Sequence, residues 1–277
     1  MARRRALPVA IVSIEGTNCD EELAVALREL GAWPEIVHLK QFQPGAVARD
    51  ERRRLDEYGL VMFPGGFSAG DYVRAGAILA ARVRAAIGPE LEAYVRAGHL
   101  VGGICNGFQV LTELGLLPGR ADGRLGPPEA ALMTNDSNRF ECRPTFIAWD
   151  GGRFAAFRSW PRGERIYVPS AHGEGKLVLA GPAGERLREL STNGQVLFRW
   201  VAPDGGPAAY PWNPNGSDDN VAGLCNPAGN VFGLMPHPER SFFHTQRPDW
   251  TRTGRAEGLG DGARFLDAVV RLASERA

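Results

Sequence analysis

Between Leu100 and Leu111 an apolar run, a cysteine flanked by glycines and a helical pattern follow one another without a break. In Gly103-Ile104-Cys105-Asn106-Gly107 the glycines bracket a residue forced into the tight bend between a strand and a helix, where side chains at the flanking positions would clash. This spacing predicts an exposed thiol at the carboxyl end of a strand. The helix that begins near Asn106 would direct its unpaired N–H groups and the positive end of its dipole at the sulfur, lowering the thiol pKa. A core cysteine beside a tight turn would use the same residue types, and the paired glycines favour the nucleophile.

The segments around this bend point to an α/β fold. Leu7 to Ile14 is almost wholly apolar and β-branched, as in a strand covered on both faces of a parallel sheet. The triplet Arg3 to Arg5 before it reads as a solvated tail. Asp20, Glu21 and Glu22 open a helix with Leu23, Ala26, Leu27 and Leu30 on one face, closed by Gly31. Strands follow at Glu35 to Leu39 and at Leu60 to Phe63, the latter stopping at Pro64-Gly65-Gly66. A helical pattern from Ile78 is divided by Gly88-Pro89, and His99 to Ile104 leads into the bend. Such an order predicts a doubly wound, mostly parallel sheet, with Gly65 and Cys105 facing one crevice at the carboxyl ends of the strands.

Beyond Gly119 the helical periodicity largely disappears. Strand-like segments at Arg139 to Trp149, Arg165 to Val168, Lys176 to Leu179, Gln195 to Val201 and Asn220 to Cys225 predict an antiparallel extension of the same sheet. A further strand, Val231 to Met235, stops at Pro236-His237-Pro238-Glu239, and an amphipathic helix runs from about Ala263 to Ala273. No linker divides the chain, so residues 1–277 are expected to form a single domain.

The balance of 32 basic and 32 acidic residues gives no field that would draw the protein to nucleic acid or to an anionic membrane. Cys19, Cys105, Cys142 and Cys225 form no C-x-x-C pair, which fits reduced thiols in a cytoplasmic protein rather than a metal site or disulfide scaffold. No apolar run is long enough to span a membrane. Gly65 to Gly70 lacks the Gly-Lys-Ser/Thr ending of a phosphate loop and no dinucleotide fingerprint follows the first strand, so no cofactor is expected in this chain.

A cysteine nucleophile needs a base, because a free thiol near pKa 8.5 is only a few per cent ionised at neutral pH. His38 and His99 lie in apolar strands and His244 in a polar segment, leaving His172 and His237. Both occur as His-x-Glu, with Glu174 and Glu239, a spacing that lets a carboxylate reach the imidazole in an extended segment. His237 directly follows an apolar strand, as Cys105 does, and its flanking prolines hold the backbone; His172 remains open. Asn106 would give one backbone donor to an oxyanion hole, and Gly65 or Gly66 the other.

Pro64-Gly65-Gly66, the cysteine bend, Gln109 four residues beyond it and His237-Pro238-Glu239 together resemble the class I glutamine amidotransferases. Gly70-Asp71-Tyr72, Asn138-Arg139-Phe140-Glu141, Ala171-His172-Gly173-Glu174-Gly175 and Asn213-Pro214-Asn215-Gly216-Ser217 are similar to the glutaminase components of phosphoribosylformylglycinamidine synthase. The resemblance implies that Cys105 attacks the side-chain amide of glutamine, His237 moves the protons and Glu239 orients His237. It makes Ser68, Gln109, Ser137, Arg139 and Phe140 candidates for holding glutamine, and places His172 and Glu174 beside the triad or at an interface. It also implies that ammonia passes to a partner synthetase subunit carrying ATP and magnesium, with a small adaptor subunit as an open question. Ala69 stands where the family usually has tyrosine, and the chain is longer than compact stand-alone members. A glutaminase serving another acceptor, such as a pyridoxal phosphate synthase, and a catalytically idle regulatory subunit are the alternative readings.

Overall fold

The structure, a computed structural model, describes residues 6–254 and 256–277; the Arg3 to Arg5 segment lies outside them. The first strand, β1 (Pro8–Ser13), is followed by helix α1 (Asp20–Glu29), β2 (Trp33–His38) and β3 (Leu60–Phe63). Helix α2 (Ala77–Arg96) is a single run with a break at Ile87 (φ −143°), immediately before Gly88 and Pro89. Proline has no N–H for the helical ladder and its ring crowds the preceding turn, which accounts for the break. Strand β4 (Leu100–Ile104) then turns at Cys105 into helix α3 (Asn106–Glu113).

The middle region comprises β5 (Ala130–Thr134), β6 (Glu141–Arg143), β7 (Phe146–Trp149), β8 (Arg165–Tyr167), β9 (Ser170–His172), β10 (Glu174–Leu179), α4 (Ala183–Thr192), β11 (Val196–Val201) and β12 (Val221–Cys225). The chain closes with β13 (Val231–Leu234), a short α5 (Trp250–Thr253) and α6 (Asp261–Arg276). A nine-stranded sheet has the order β2-β1-β3-β4-β13-β12-β11-β7-β8. Its strands are parallel from β2 to β13 and antiparallel from β13 to β8. Every residue of β3, β4 and β13 is buried, so this half is covered on both faces. The cover comes from α1 packed beside α6 and from α2 packed beside α3.

An aromatic cluster joins the two halves of the sheet. Phe232 of β13 lies 5.1 Å from Phe154 and 6.0 Å from Phe265 of α6, and Phe157 lies 4.9 Å from Phe265 and 5.1 Å from Phe198 of β11. Removing so much aromatic surface from water is the main local stabilisation, at roughly 25 cal/mol per Å² buried.

Three expectations for the middle region need correction. Arg139 to Trp149 is two strands in different sheets, because Pro144 interrupts the ladder between β6 and β7. Lys176 to Leu179 is not part of the large sheet: β10 pairs with β5, and β6 with β9, as separate two-stranded sheets. Helical structure persists as α4, where Leu190 is the fully buried anchor and the rest of the surface is largely solvated. Among the described residues no helix is long and apolar enough to cross a membrane.

Candidate active site

Strand order brings the chemistry together. Strand β4 lies between β3 and β13, with Phe63 opposite Gly103 and Ile104 opposite Leu234. The residues just past these three strand ends, Gly65, Cys105 and His237, therefore meet at one carboxyl edge. The Cys105 N–H donates to Leu234 O at 2.8 Å, and the His237 N–H donates to Pro169 O at 2.8 Å. Cys105 has φ +50°, a left-handed backbone unusual for a side-chain-bearing residue and typical of strained functional positions. The glycines beside it allow close packing: a Cβ on Gly103 would lie 2.5 Å from Gly107 O, and one on Gly107 would run into Phe63 O.

The imidazole of His237 is buried, and its Nδ1 meets Glu239 Oε1 at 2.5 Å. The pair forms as Pro238–Ser241 enters a 3-10 turn, not through the extended i, i+2 geometry expected from the spacing. Burial opposes a charge on this ring, but the Glu239 carboxylate, followed by the Cys105 sulfur, raises its pKa well above the ordinary histidine value. With Nδ1 committed to Glu239, Nε2 has no hydrogen-bond partner of ordinary length in the resting geometry. Cys105 is not exposed as its spacing predicts but buried, because the glycine loop, His237 and the Ala171 backbone close over it, and its thiol is directed at Ala171 O, 3.6 Å away.

The second His-x-Glu pair separates. His172 Nδ1 meets Asn135 Oδ1 at 3.1 Å, while Glu174 uses Oε2 to accept the Ala75 N–H at 3.0 Å. Asn135 Nδ2 donates to Arg139 O and His172 O, so its Oδ1 is the acceptor and His172 carries its proton on Nδ1. Burial, reinforced by nearby His237, pushes the His172 pKa down to about 3. His172 is a neutral residue at physiological pH, close to His237 and tied into a hydrogen-bonded hub.

Ser68 Oγ donates to Asn106 Oδ1 at 2.6 Å, and Asn106 Nδ2 donates to Gln109 Oε1 at 3.0 Å. Gln109 Nε2 in turn donates to Glu174 O at 2.5 Å. Ser68 and Gln109 are thus neighbours in one buried chain that runs through Asn106, the residue after Cys105. Phe140 is half exposed and packs its ring 6.2 Å from that of Phe67, which brings the loop carrying Ser137, Arg139 and Phe140 against the segment that follows Gly65-Gly66. The Arg139 side chain is exposed, whereas Ser137 Oγ is buried with no partner.

Gly65 stands at the centre. A Cβ built there would lie 2.7 Å from His237 Cε1, 3.1 Å from Cys19 Sγ and 3.4 Å from Cys105 Cβ. Sequence reasoning missed Cys19 and Arg240. Cys19 Sγ accepts a hydrogen bond from Arg240 Nη2 at 3.0 Å, and a His237 nitrogen, Cys19 Sγ and a Glu239 oxygen lie within 4.8 Å of one another. A cation placed among those donors would sit against the Arg240 guanidinium, so the cluster is poorly suited to a metal. The signal available in the sequence was weak: Cys19 lies in the turn after β1, just before α1, without the flanking glycines that mark Cys105.

A thiol on a strained strand-to-helix bend, an imidazole oriented by a carboxylate and a glycine loop against both define a thiol-dependent acyl-transfer enzyme. The family model described as a CobB/CobQ-like glutamine amidotransferase domain matches residues 6–270. The chain is 46% identical over 270 residues to phosphoribosylformylglycinamidine synthase subunit PurQ of Archaeoglobus fulgidus, covering 96% of this chain and 97% of that one. The subunit of the same name from Thermomicrobium roseum is 38% identical over 270 residues, with 97% of each chain covered. Among solved structures, a chain of PurLQS from Thermotoga maritima superposes with a TM-score of 0.70 at 30% identity, over 97% of this chain and 100% of that one. The chain belongs to the PurQ family of glutamine amidotransferases.

Proposed function

We infer that the protein is the glutaminase subunit of a phosphoribosylformylglycinamidine synthase, releasing ammonia from glutamine for a PurL-type synthetase subunit in purine biosynthesis. The observation that carries the chemistry is the convergence of Cys105, Gly65 and His237 at adjacent strand ends, with His237 held on Glu239. In this reading His237 Nε2 takes the Cys105 proton and the sulfur attacks the side-chain amide carbon. Backbone N–H groups of Asn106 and of Gly65 or Gly66 receive the oxyanion, each worth about 3 kcal/mol. His237 then protonates the departing nitrogen, ammonia leaves, and water hydrolyses the glutamyl thioester to glutamate and free thiol. The acceptor, formylglycinamide ribonucleotide, is aminated on the synthetase, which holds ATP and magnesium. Ser68, Gln109 and the 137–140 loop surround the glutamine, and a cytoplasmic site of action follows from the pathway.

The reading is tested by Cys105→Ala in the reconstituted complex. Glutamine-dependent synthesis should vanish while synthesis from added ammonia persists, because the thiol touches only the amide donor. Loss of both activities with an intact complex, or retention of both, would contradict it.

A further inference from the structure

A second thiol reaches the catalytic imidazole. Cys19, in the turn between β1 and α1, is 2% exposed, and its sulfur shares the shell around Gly65 with His237 and Cys105. Besides facing the His237 ring, Sγ receives the Arg240 N–H at 3.0 Å and directs its own proton to Asn18 Oδ1 at 3.6 Å. Arg240 is fixed in turn by Glu22 of α1, with Nε to Oε1 at 2.8 Å. The turn is also stitched to the glycine loop, since Phe67 N–H donates to Gly16 O at 3.1 Å and Ala69 N–H to Glu15 O at 2.8 Å.

Nothing in amide hydrolysis needs this second thiol as a nucleophile. Its backbone is unstrained, with φ −107°, and burial pushes its pKa up, which keeps the sulfur protonated and unreactive. A polarizable sulfur gripped by a partly buried guanidinium beside that ring has a different use. We propose that Cys19, held by Arg240, is a positioning residue that backs the His237 imidazole and keeps it aligned for proton transfer between Cys105 and the departing ammonia.

His237 must charge when it takes the thiol proton and discharge when ammonia leaves. The groups facing it are Glu239 on its own turn, Cys105 at the start of α3, Cys19 before α1 with Arg240 and Glu22 behind it, and neutral His172 of β9. Glu239 and Cys105 favour the charged ring. The Cys19 sulfur gives the imidazolium a further soft acceptor and fills the space beside it, while Glu22 offsets the charge of Arg240. Replacing Cys19 by alanine would leave Arg240 Nη2 without its sulfur acceptor and open a hole into which the ring can tilt.

The proposal rests on the glutaminase reading, and its test separates the two. In the complex with the synthetase, Cys19→Ala should lower kcat for glutamine hydrolysis about ten-fold or more, with KM within about two-fold, as for a misaligned general base. The acidic limb of the kcat/KM profile should move to lower pH, because an imidazolium that has lost an acceptor gives up its proton more easily and the free base persists further into acid. Cys19→Ser, whose hydroxyl can still receive the Arg240 N–H, should recover most of the rate, and Arg240→Gln should reproduce the alanine defect. A wild-type rate and pH profile in folded Cys19→Ala would overturn the proposal. So would a defect that follows only the fraction of folded protein, with the profile unchanged. Labelling of the same samples by a glutamine-analogue electrophile reports independently on the nucleophile: an adduct on Cys105 leaves the glutaminase reading intact whichever way the kinetics fall, and an adduct on Cys19 overturns both.

Discussion

Two histidines in identical His-x-Glu settings carry opposite electrostatics, and this difference sets their roles. His237 is buried but faces a carboxylate, which favours the imidazolium; His172 is buried and faces an amide, which does not. His237→Ala should therefore suppress thioester formation by about a hundred- to ten-thousand-fold, with Glu239→Ala less severe. Single-turnover rates with glutamine would measure both. His172 has a further consequence. Its folded pKa of about 3 lies below the unfolded value, so between those two pH values the unfolded chain binds the extra proton and stability falls as the pH is lowered. A His172→Gln variant should lose that one-proton slope, worth at most about 1.4 kcal/mol per pH unit, below neutrality. Denaturant titrations of both proteins from pH 7 to pH 4 would show it; parallel stability curves would mean that His172 is not held neutral. If His172→Gln blocked thioester formation and His237→Ala did not, the assignment of the base would be reversed.

At the scale of elements, the site is a product of strand adjacency. The β3, β4 and β13 ends are neighbours in the sheet although β13 lies over a hundred residues from β4 in the chain. Gly65 is where their loops touch. Gly65→Ala should place a methyl group among His237, Cys19 and Cys105, displacing the backbone donor and cutting glutamine hydrolysis about a hundred- to thousand-fold. Rapid-quench rates beside thermal unfolding would separate this from an overpacking cost of about 1–3 kcal/mol. Unchanged hydrolysis would remove Gly65 from the oxyanion site. Strands β1, β3 and β13 could be read in the sequence because each is a nearly continuous apolar run with glycine or proline within a few residues of its end. β5 and α4 could not: Ala130–Thr134 is short and half exposed, and α4 buries little beyond Leu190. The bend at Cys105 was legible from its glycines, and His237 from its place after a strand. Cys19 was not, since its partner Arg240 is 221 residues away and no local pattern encodes that contact.

For the molecule as a whole, the resting site has the Cys105 thiol on Ala171 O and His237 Nε2 without a partner. Exposed Phe67, Tyr72, Val73 and Phe140 lie on the loops around it. Free hydrolysis would release ammonia into water, where protonation removes its nucleophilicity. The purified chain should accordingly be a poor glutaminase, activated about a hundred-fold or more when the synthetase, its nucleotide substrate and ATP bring the donor loop and thiol into line. Turnover assays with and without those components test this; full activity of the isolated chain, unchanged by the partner, would refute the coupling.

Two thiols lie beside one imidazole, and a glutamine-analogue electrophile decides which of them attacks glutamine. Peptide mass spectrometry after reaction with the complex should find a single adduct on Cys105, absent from Cys105→Ala and strongly reduced in His237→Ala. An adduct on Cys19, or on Cys142 or Cys225, with Cys105 unmodified, would contradict it.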